Sequence, residues 1–433
     1  MIVNLNSIAD TKTLHHGTEI WLRGWVQSIR SHKQVVFIDL VDETGVIQLV
    51  VEEPAIQVGK ESYVEVKGIL VLTKVREEVF VKDMRVVSDF SLDLFPLPHA
   101  KFDIFSNDGD VDHLLSNRHI YLRNSKLQTV LKFRHKFFRE IHKIFAEQGF
   151  TEIHAPILTE LTLYDEGTAF KTIYDDEEIY LTQCAGFYLE ACVHSISKVY
   201  NIGPSFRAEQ THGRRHLAEY WHIKAELAHV NLTDLIKFAE NLLGQLCENL
   251  IQLAAEEIEL LDSKINMMDI KPPYPQITYR EALKLLKDHG VKVDFGKAIP
   301  PHAEDILSTQ FTKPFWILYP SSLLEHFSYV INENDPATAN VADLHVPHGY
   351  GELLGVAEKN HDLNELTRRA QEKKISPKQM ERLKWYFDLR LAACIPHGGM
   401  GMGVERTLRW LLNLPHVRDT IPFPRLSGRK PRP

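Results

Sequence analysis

What this chain lacks narrows it first. It has four cysteines, Cys184, Cys192, Cys247 and Cys394, scattered and with no pair at zinc-ligand spacing, so a disulfide framework is excluded and reduced, buried thiols are expected. No uninterrupted apolar run is long enough to span a bilayer, and no N-terminal apolar stretch reads as a signal peptide, so a cytoplasmic protein with no membrane partner is expected. Internal repeats and low-complexity tracts are absent, which argues against a solenoid. There is no excess of basic residues either: the net charge is −8. That excludes less than it suggests, because phosphate is met by a local basic patch rather than by the average charge. What is there, 433 residues with 44% hydrophobic and 25% charged, is a soluble globular chain of two or three domains.

The first hundred residues read as strands. EIWLRGWVQSIR, QVVFIDLVD, VIQLVVEE, SYVEVKGILVL and EVFVKDMRVVS are rich in β-branched residues and separated by turn clusters such as DETG. Five short strands suit a small closed barrel. Residues 93–117 carry prolines, acids and little periodicity and read as a linker. After Arg123 the period changes. KLQTVLKFRHKFFREIHKIFAEQGF is an amphipathic helix with Gly149 at its C-terminal end, TEIHAPIL reads as a strand, and the remainder alternates helices with strands such as KVYNIGPSFRAE, EYWHIKAELA and PFWILYP. This is an α+β pattern with domains at 1–92 and 118–433, the second a sheet flanked by helices. Asn231–Leu261 and Asp362–Glu381 read as surface helices.

Three segments carry chemistry. RHIYLR leads into the long helix and EIHAPIL, with Pro156 closing it; alone this is only a helix and a strand. FRAEQTHGRRHLAEYWHIKAE packs Arg207, Arg214, Arg215 and His216 around Glu209, Glu219 and Glu226. Guanidinium forks bind phosphate oxygens bidentately, although such a loop by itself would read as a solvated salt-bridge hairpin. PHGGMGMGVERTLRWLLNLPHVRDTIPFPR reads as a Gly-rich turn that allows close ligand approach, then a helix with Arg406 near its anion-favouring N-terminus. The turn and the arginine loop together point to a nucleotide.

These segments resemble motifs 1, 2 and 3 of the class II aminoacyl-tRNA synthetases, in order and spacing, and specifically the asparaginyl type of the aspartyl/asparaginyl subgroup. The resemblance covers nearly the whole chain. It implies an N-terminal five-stranded OB barrel that binds the tRNA anticodon, a class II catalytic domain with an antiparallel sheet, a homodimer, and ATP and Mg²⁺ as cofactors. It implies an acyl-adenylate-forming ligase in which Arg207, Arg406 and Glu352 are catalytic. The ATP site would comprise Arg207, Glu209, Arg215, His216, Tyr220, Glu352, Gly403 and Arg406, with Glu352 and Asp343 on the metal. Phe37, Gln48 and Glu78 match the anticodon contacts, an aromatic platform beside polar edge readers.

The substrate pocket, drawn from the same resemblance, comprises Glu166, Gln183, Gly186, Lys224, Glu226, Lys359, His397 and Gly399, and several of these depart from the family. TQCAGFYLE has Gly186 where the family has a Gln for the substrate ammonium. HIKAE has Lys224 in place of an acid, and GELLGVAEK has Lys359 in place of an arginine. A cation where an ammonium binds is costly in a desolvated pocket, and lysine gives up a bidentate fork. The expectation is therefore an adenylate-forming enzyme on an asparaginyl scaffold whose small carboxylate substrate lacks an ordinary α-ammonium or carries an extra anionic group bound by Lys224 and Lys359. Drift that leaves Glu166 or Glu226 to hold the ammonium is the plainer account. The acceptor is expected to be tRNA, the alternatives being an amine in tRNA-independent amide formation, or a catalytically silent RNA-binding regulator.

Overall fold

Alternation of apolar and polar residues drives the N-terminal barrel. β1 (Glu19–His32), β2 (Val35–Val41), β3 (Val46–Val51), β4 (Tyr63–Leu72) and β5 (Glu77–Ser88) close in the order β1-β2-β3-β5-β4. Every second side chain points inward, so Ile20, Leu22, Ile38, Leu40, Leu49, Val64, Val66 and Val79 form one core. Gly68 lies at a bulge where β4 meets β5; a Cβ there would stand 2.5 Å from the Phe80 carbonyl oxygen, so glycine permits the tight bend. The computed structural model describes residues 5–52, 58–89, 104–105, 111–162, 166–210, 213–263, 270–392 and 394–431. The chain divides into two units, Met1–Phe102 and Asp103–Pro433. Most of the stretch expected as a linker, residues 93–103 and 106–110, lies outside the described residues, as do residues 163–165 and 211–212.

In the second unit the long helix α1 spans Ser125–Glu147, capped by Asn124, whose side chain accepts from the backbone N–H of Lys126 and Leu127. Gly149 follows its end at φ +76°, a left-handed conformation that glycine adopts without strain. The strand expected over TEIHAPIL is two fragments, β6 (Thr151–Glu152) and β7 (Leu158–Thr159), in different sheets. Pro156 between them has no N–H to offer a ladder. β7 joins β8 (Lys171–Tyr174) and β9 (Glu177–Leu181) in a small sheet, followed by helix α2 (Gly186–Val193).

The main sheet adds β10 (Lys198–Phe206), β11 (Glu219–Ala228), β12 (Gln276–Thr278), β13 (Phe315–Leu318), β14 (Val341–Val346), β15 (Gly351–Lys359) and β16 (His397–Gly403), in the order β12-β13-β14-β15-β16-β11-β10-β6. The six central strands are antiparallel and the edge strands β12 and β6 pair in parallel. Helix α3 (Leu232–Leu253) packs on α1, β15 and β16 and buries Leu235, Ile236, Ala239, Leu242 and Leu243. It was expected at the surface, but one face of it is core. Asp362–Glu381 is two helices, α4 (Leu363–Glu372) and α5 (Pro377–Arg382), because Ser376-Pro377 restarts the chain; α6 (Lys384–Leu391) follows. Finally α7 (Val404–Leu411) leaves β16 directly, and its buried Glu405 meets Arg134 of α1 at 2.7 Å.

Candidate active site

The segment PHGGMGMG is not a turn. It is β16, flanked by β11 and β15. Cross-strand register pairs Glu226 with Gly399, Lys224 with Gly401 and His222 with Gly403. On the same face of β15, Ala357 and Gly355 oppose Gly399 and Gly401. Alternation therefore points His222, Lys224 and Glu226 into a cavity floored by residues with little or no side chain. A Cβ at Gly401 would come within 2.7 Å of Lys224 Nζ and 2.9 Å of His222 Nε2. Gly398 points to the opposite face, where a Cβ would stand 2.7 Å from Leu235 of α3. Glycine is needed here for space, not for unusual dihedrals.

One end of this cavity is arginine-rich. Arg207 follows β10, with its Nη1 3.4 Å from Glu209 Oε1. Arg215 donates to Glu304 at 2.6 Å, to the Gly349 carbonyl at 2.7 Å, and to Asp305. Arg406, in the first turn of α7, donates from Nη1 to the Glu352 carbonyl at 3.1 Å and to its carboxylate at 3.4 Å. Tyr220 and His216 line the same wall. Burial and then the charge of Arg406 push His216 down from its ordinary range, so its imidazole is neutral. His222 is likewise held well below the usual range, by burial and then by Lys224. Gly403 ends β16 and caps α7.

Carboxylates gather beside these arginines. Asp343 on β14 faces Gly355, and one point above that glycine lies 2.7 Å from Asp343 Oδ1 and 3.9 Å from Glu352 Oε1. Burial, then the charges of Glu352, Glu325 and Glu304, raise Asp343 well above the ordinary carboxyl range. Glu325 rises to about 7, chiefly by burial. Burial opposes ionisation of Glu352 too, but Arg406 and Arg207 outweigh it and hold its pKa low. Converging, mutually repelling carboxyl oxygens on a cavity wall are a donor set that a hard divalent cation neutralises, so Asp343 and Glu352 fit Mg²⁺.

The other end of the cavity is the pocket that departs from the family pattern. Lys224 lines it, as do Glu226, Lys359 and Gly399. Lys359 does not reach out into it: its Nζ lies 3.1 Å from Glu190 Oε1 and 3.8 Å from Glu226 Oε1, and 4.7 Å from the centre of the Tyr329 ring. Glu190, on α2, is the hub. Its Oε2 accepts from Tyr386 at 2.6 Å and Arg390 at 3.0 Å, and His397 Nε2 stands 3.3 Å away. Burial opposes its charge, but Lys359, His397 and Arg390 together hold its pKa well below the ordinary value. Glu226 is pushed up to about 7 by burial, which Lys359 only partly offsets, and its buried Oε2 has no hydrogen-bond partner.

Other expected pocket residues sit elsewhere. Gln183 is buried, donating to Thr168 at 3.1 Å, and Gly186 is the buried first residue of α2. Glu166 accepts from Tyr180 at 2.8 Å and lies 3.5 Å from Lys171, partly exposed. None of these three lines the cavity. His397 lies behind its floor, against Glu190. Sequence reasoning passed over Glu190, although TQCAGFYLE ends on it, because its partners come from β15, α6 and β16. Arg390, Tyr386, Glu304 and Glu325 carried no local signal at all.

On the barrel, Phe37 and Gln48 share the outer face, because Phe37 alternates with inward Ile38 and Gln48 with inward Leu49. Gln48 pairs with Glu78 in register, and its Nε2 donates to Glu78 Oε1 at 3.1 Å. Arg76 and Arg30 both donate to the Gln48 oxygen, the latter at 3.2 Å. These two arginines, absent from the sequence reading, pair with Asp39 and Glu78 around Gln48.

Comparison with known proteins agrees with this geometry. Residues 110–427 match the family described as tRNA synthetases class II (D, K and N), and residues 20–87 match the OB-fold nucleic acid binding domain. The asparagine–tRNA ligase of Pyrococcus abyssi is 33% identical, covering 97% of this chain and 98% of that protein. That of Thermoplasma acidophilum is 31% identical, covering 98% and 99%. Among solved structures, asparaginyl-tRNA synthetase from Pyrococcus horikoshii complexed with asparaginyl-adenylate superposes with a TM-score of 0.93 at 30% identity, covering all of both chains. The Entamoeba histolytica asparaginyl-tRNA synthetase in complex with asparaginyl-adenylate gives 0.87 at 28%, covering 99% of this chain and 100% of the other.

Proposed function

The chain belongs to the class II tRNA synthetases of the D, K and N group, and from that premise we propose that it adenylates an amino acid whose side chain ends in an anionic group, then transfers it to tRNA. Activation needs no general base, since the attacking carboxylate is already ionised. It attacks the α-phosphorus of ATP, the bond to the bridging oxygen breaks, and pyrophosphate leaves. Arg207 would meet the charge on the α-phosphate and Arg406 the γ-phosphate, with Tyr220 against the adenine. Preorganised donors of this kind supply most of the rate. Glu352 and Asp343 would hold Mg²⁺, which neutralises polyphosphate charge. Convergence of Arg207, Arg406 and Glu352 on one cavity supports this part. Oligomeric state follows the family in this reading: a homodimer.

The side-chain preference rests on Lys224. Its Nζ stands beside the Gly401 floor, between the arginine end and Glu226. Lys359 and Arg390 meet Glu190, and Lys359 also stands 3.8 Å from Glu226, whereas Lys224 lines the cavity that a substrate would enter. The open Glu226 Oε2 supports a retained substrate ammonium as its donor, so an extra anion on the substrate is favoured over a missing ammonium. ATP–pyrophosphate exchange across a panel of amino acids tests this. Dicarboxylic amino acids are expected to exchange at lower concentration than asparagine, and Lys224→Glu to reverse the order; robust exchange with asparagine at ordinary affinity overturns it. Transfer is tested with labelled substrate and total tRNA. Acylation that appears only when a small amine is added would replace tRNA as the acceptor.

A further inference from the structure

Behind the pocket floor, outside everything the adenylation reaction uses, three ligand-type side chains meet. His194 follows the last residue of α2, while Cys394 and His397 stand at C-x-x-H spacing on the strap that enters β16. Cys394 Sγ lies 3.2 Å from His194 Nε2, and the rings of His194 and His397 meet edge to face with centres 4.9 Å apart. One donor atom from each of the three residues lies within 4.8 Å of the other two. We propose that His194, Cys394 and His397 form a binding site for a borderline-soft divalent cation of the zinc type, separate from the carboxylate site that fits Mg²⁺.

The geometry suits that ion. Zinc–sulfur bonds of about 2.3 Å and zinc–nitrogen bonds of about 2.0 Å place S and N about 3.5 Å apart in a tetrahedron. The observed 3.2 Å requires only a small opening. His397 has acceptors at both ring nitrogens, the Ile395 carbonyl at 2.8 Å from Nδ1 and Glu190 Oε2 at 3.3 Å from Nε2. Whichever nitrogen turns to the ion, the other keeps an acceptor, the outer-shell support that orients a metal-bound imidazole. Thiolate and imidazole donors select zinc-type ions over Mg²⁺. Cys394 and His194 are half-buried, so the fourth position is open to water. Binding takes the thiol proton into solvent and needs His397 neutral, so protons are released as the ion enters. The bound ion would tie the end of α2 to the strap before β16, fixing the helix that carries Glu190.

Cobalt(II) titration of the chelator-treated full chain tests this, read by the thiolate-to-cobalt charge-transfer band, which an all-oxygen Mg²⁺ site cannot produce. One equivalent of cobalt is expected to generate the band, and zinc to abolish it. Cys394→Ser should eliminate the band, His194→Ala should weaken binding more than about tenfold, and Cys192→Ser should leave it unchanged. Circular dichroism verifies that each variant is folded, and His194→Ala carries the test if Cys394→Ser is not. A band absent from the wild type leaves only a hydrogen-bonded thiol and overturns the proposal. A band that survives Cys394→Ser overturns it equally.

Discussion

Lys359 Nζ lies 3.1 Å from Glu190 Oε1, with both side chains buried. The cation that the sequence placed in the substrate pocket is thus answered from within the fold, by a carboxylate that also serves Arg390 and His397. Glu190→Gln would leave those groups buried without their counter-charge. Loss of a buried partner costs about 3–5 kcal/mol. Urea unfolding should show a loss of this size, and Lys359→Met a smaller one, because Glu190 then retains Arg390 and His397. Equal losses would mean that the carboxylate is not the hub.

Glu226 sets a pH dependence. Its folded pKa is raised to about 7 from 4.5 by burial. It therefore carries its charge only above about 7, and a substrate ammonium loses its partner as pH falls through that value. KM for the amino acid should rise roughly tenfold per pH unit below 7 while KM for ATP stays flat. In Glu226→Gln the amino-acid KM should be high and nearly independent of pH. For stability the sign is the same as for any raised pKa: the contribution from Glu226 is fully present below 4.5 and is lost as pH rises from 4.5 through 7.

Gly399→Ala should be disruptive although the site is a β-strand, where alanine ordinarily costs little. The new Cβ would overlap Glu226 Oε1 and stand 2.6 Å from the Ala225 carbonyl oxygen, which is backbone and cannot swing aside. Overpacking of this kind costs about 1–3 kcal/mol. Thermal unfolding should register it, together with a raised KM for the amino acid. Gly149→Ala, at φ +76° with nothing near its Cβ, is the contrast: strained backbone, open space, and no change in KM.

Phe37 is half-buried on the outer face of the barrel, beside the Gln48–Glu78 pair. If it stacks a base, Phe37→Ala removes about 1–3 kcal/mol of binding. KM for tRNA should then rise between roughly five- and 150-fold in aminoacylation, while ATP–pyrophosphate exchange without tRNA is unaltered. A fall in exchange would instead mean that the substitution damages the fold.

The five barrel strands, the long helix, β11 and the order of the three motifs were legible in the residues, because period-two and helical patterning are local properties of the chain. The arginines at 207, 215 and 406, singled out as residue types that polyphosphate demands, line one cavity. Where reading failed, the cause lay in neighbours distant in sequence. PHGGMGMG has the composition of a turn; it is a central strand because β11 and β15 supply its ladder, and its odd-numbered glycines make room for His222, Lys224 and Glu226. Lys359 reads as a free pocket cation until α2 brings Glu190 beneath it from 169 positions away. Cys394 reads as one more scattered thiol until His194 and His397 close around it. Sequence by itself determined most of the elements and the family. Tertiary structure decided which charges are spent inside the fold and which remain for a substrate, since charge compensation acts through space over a few ångströms, whatever the distance along the chain.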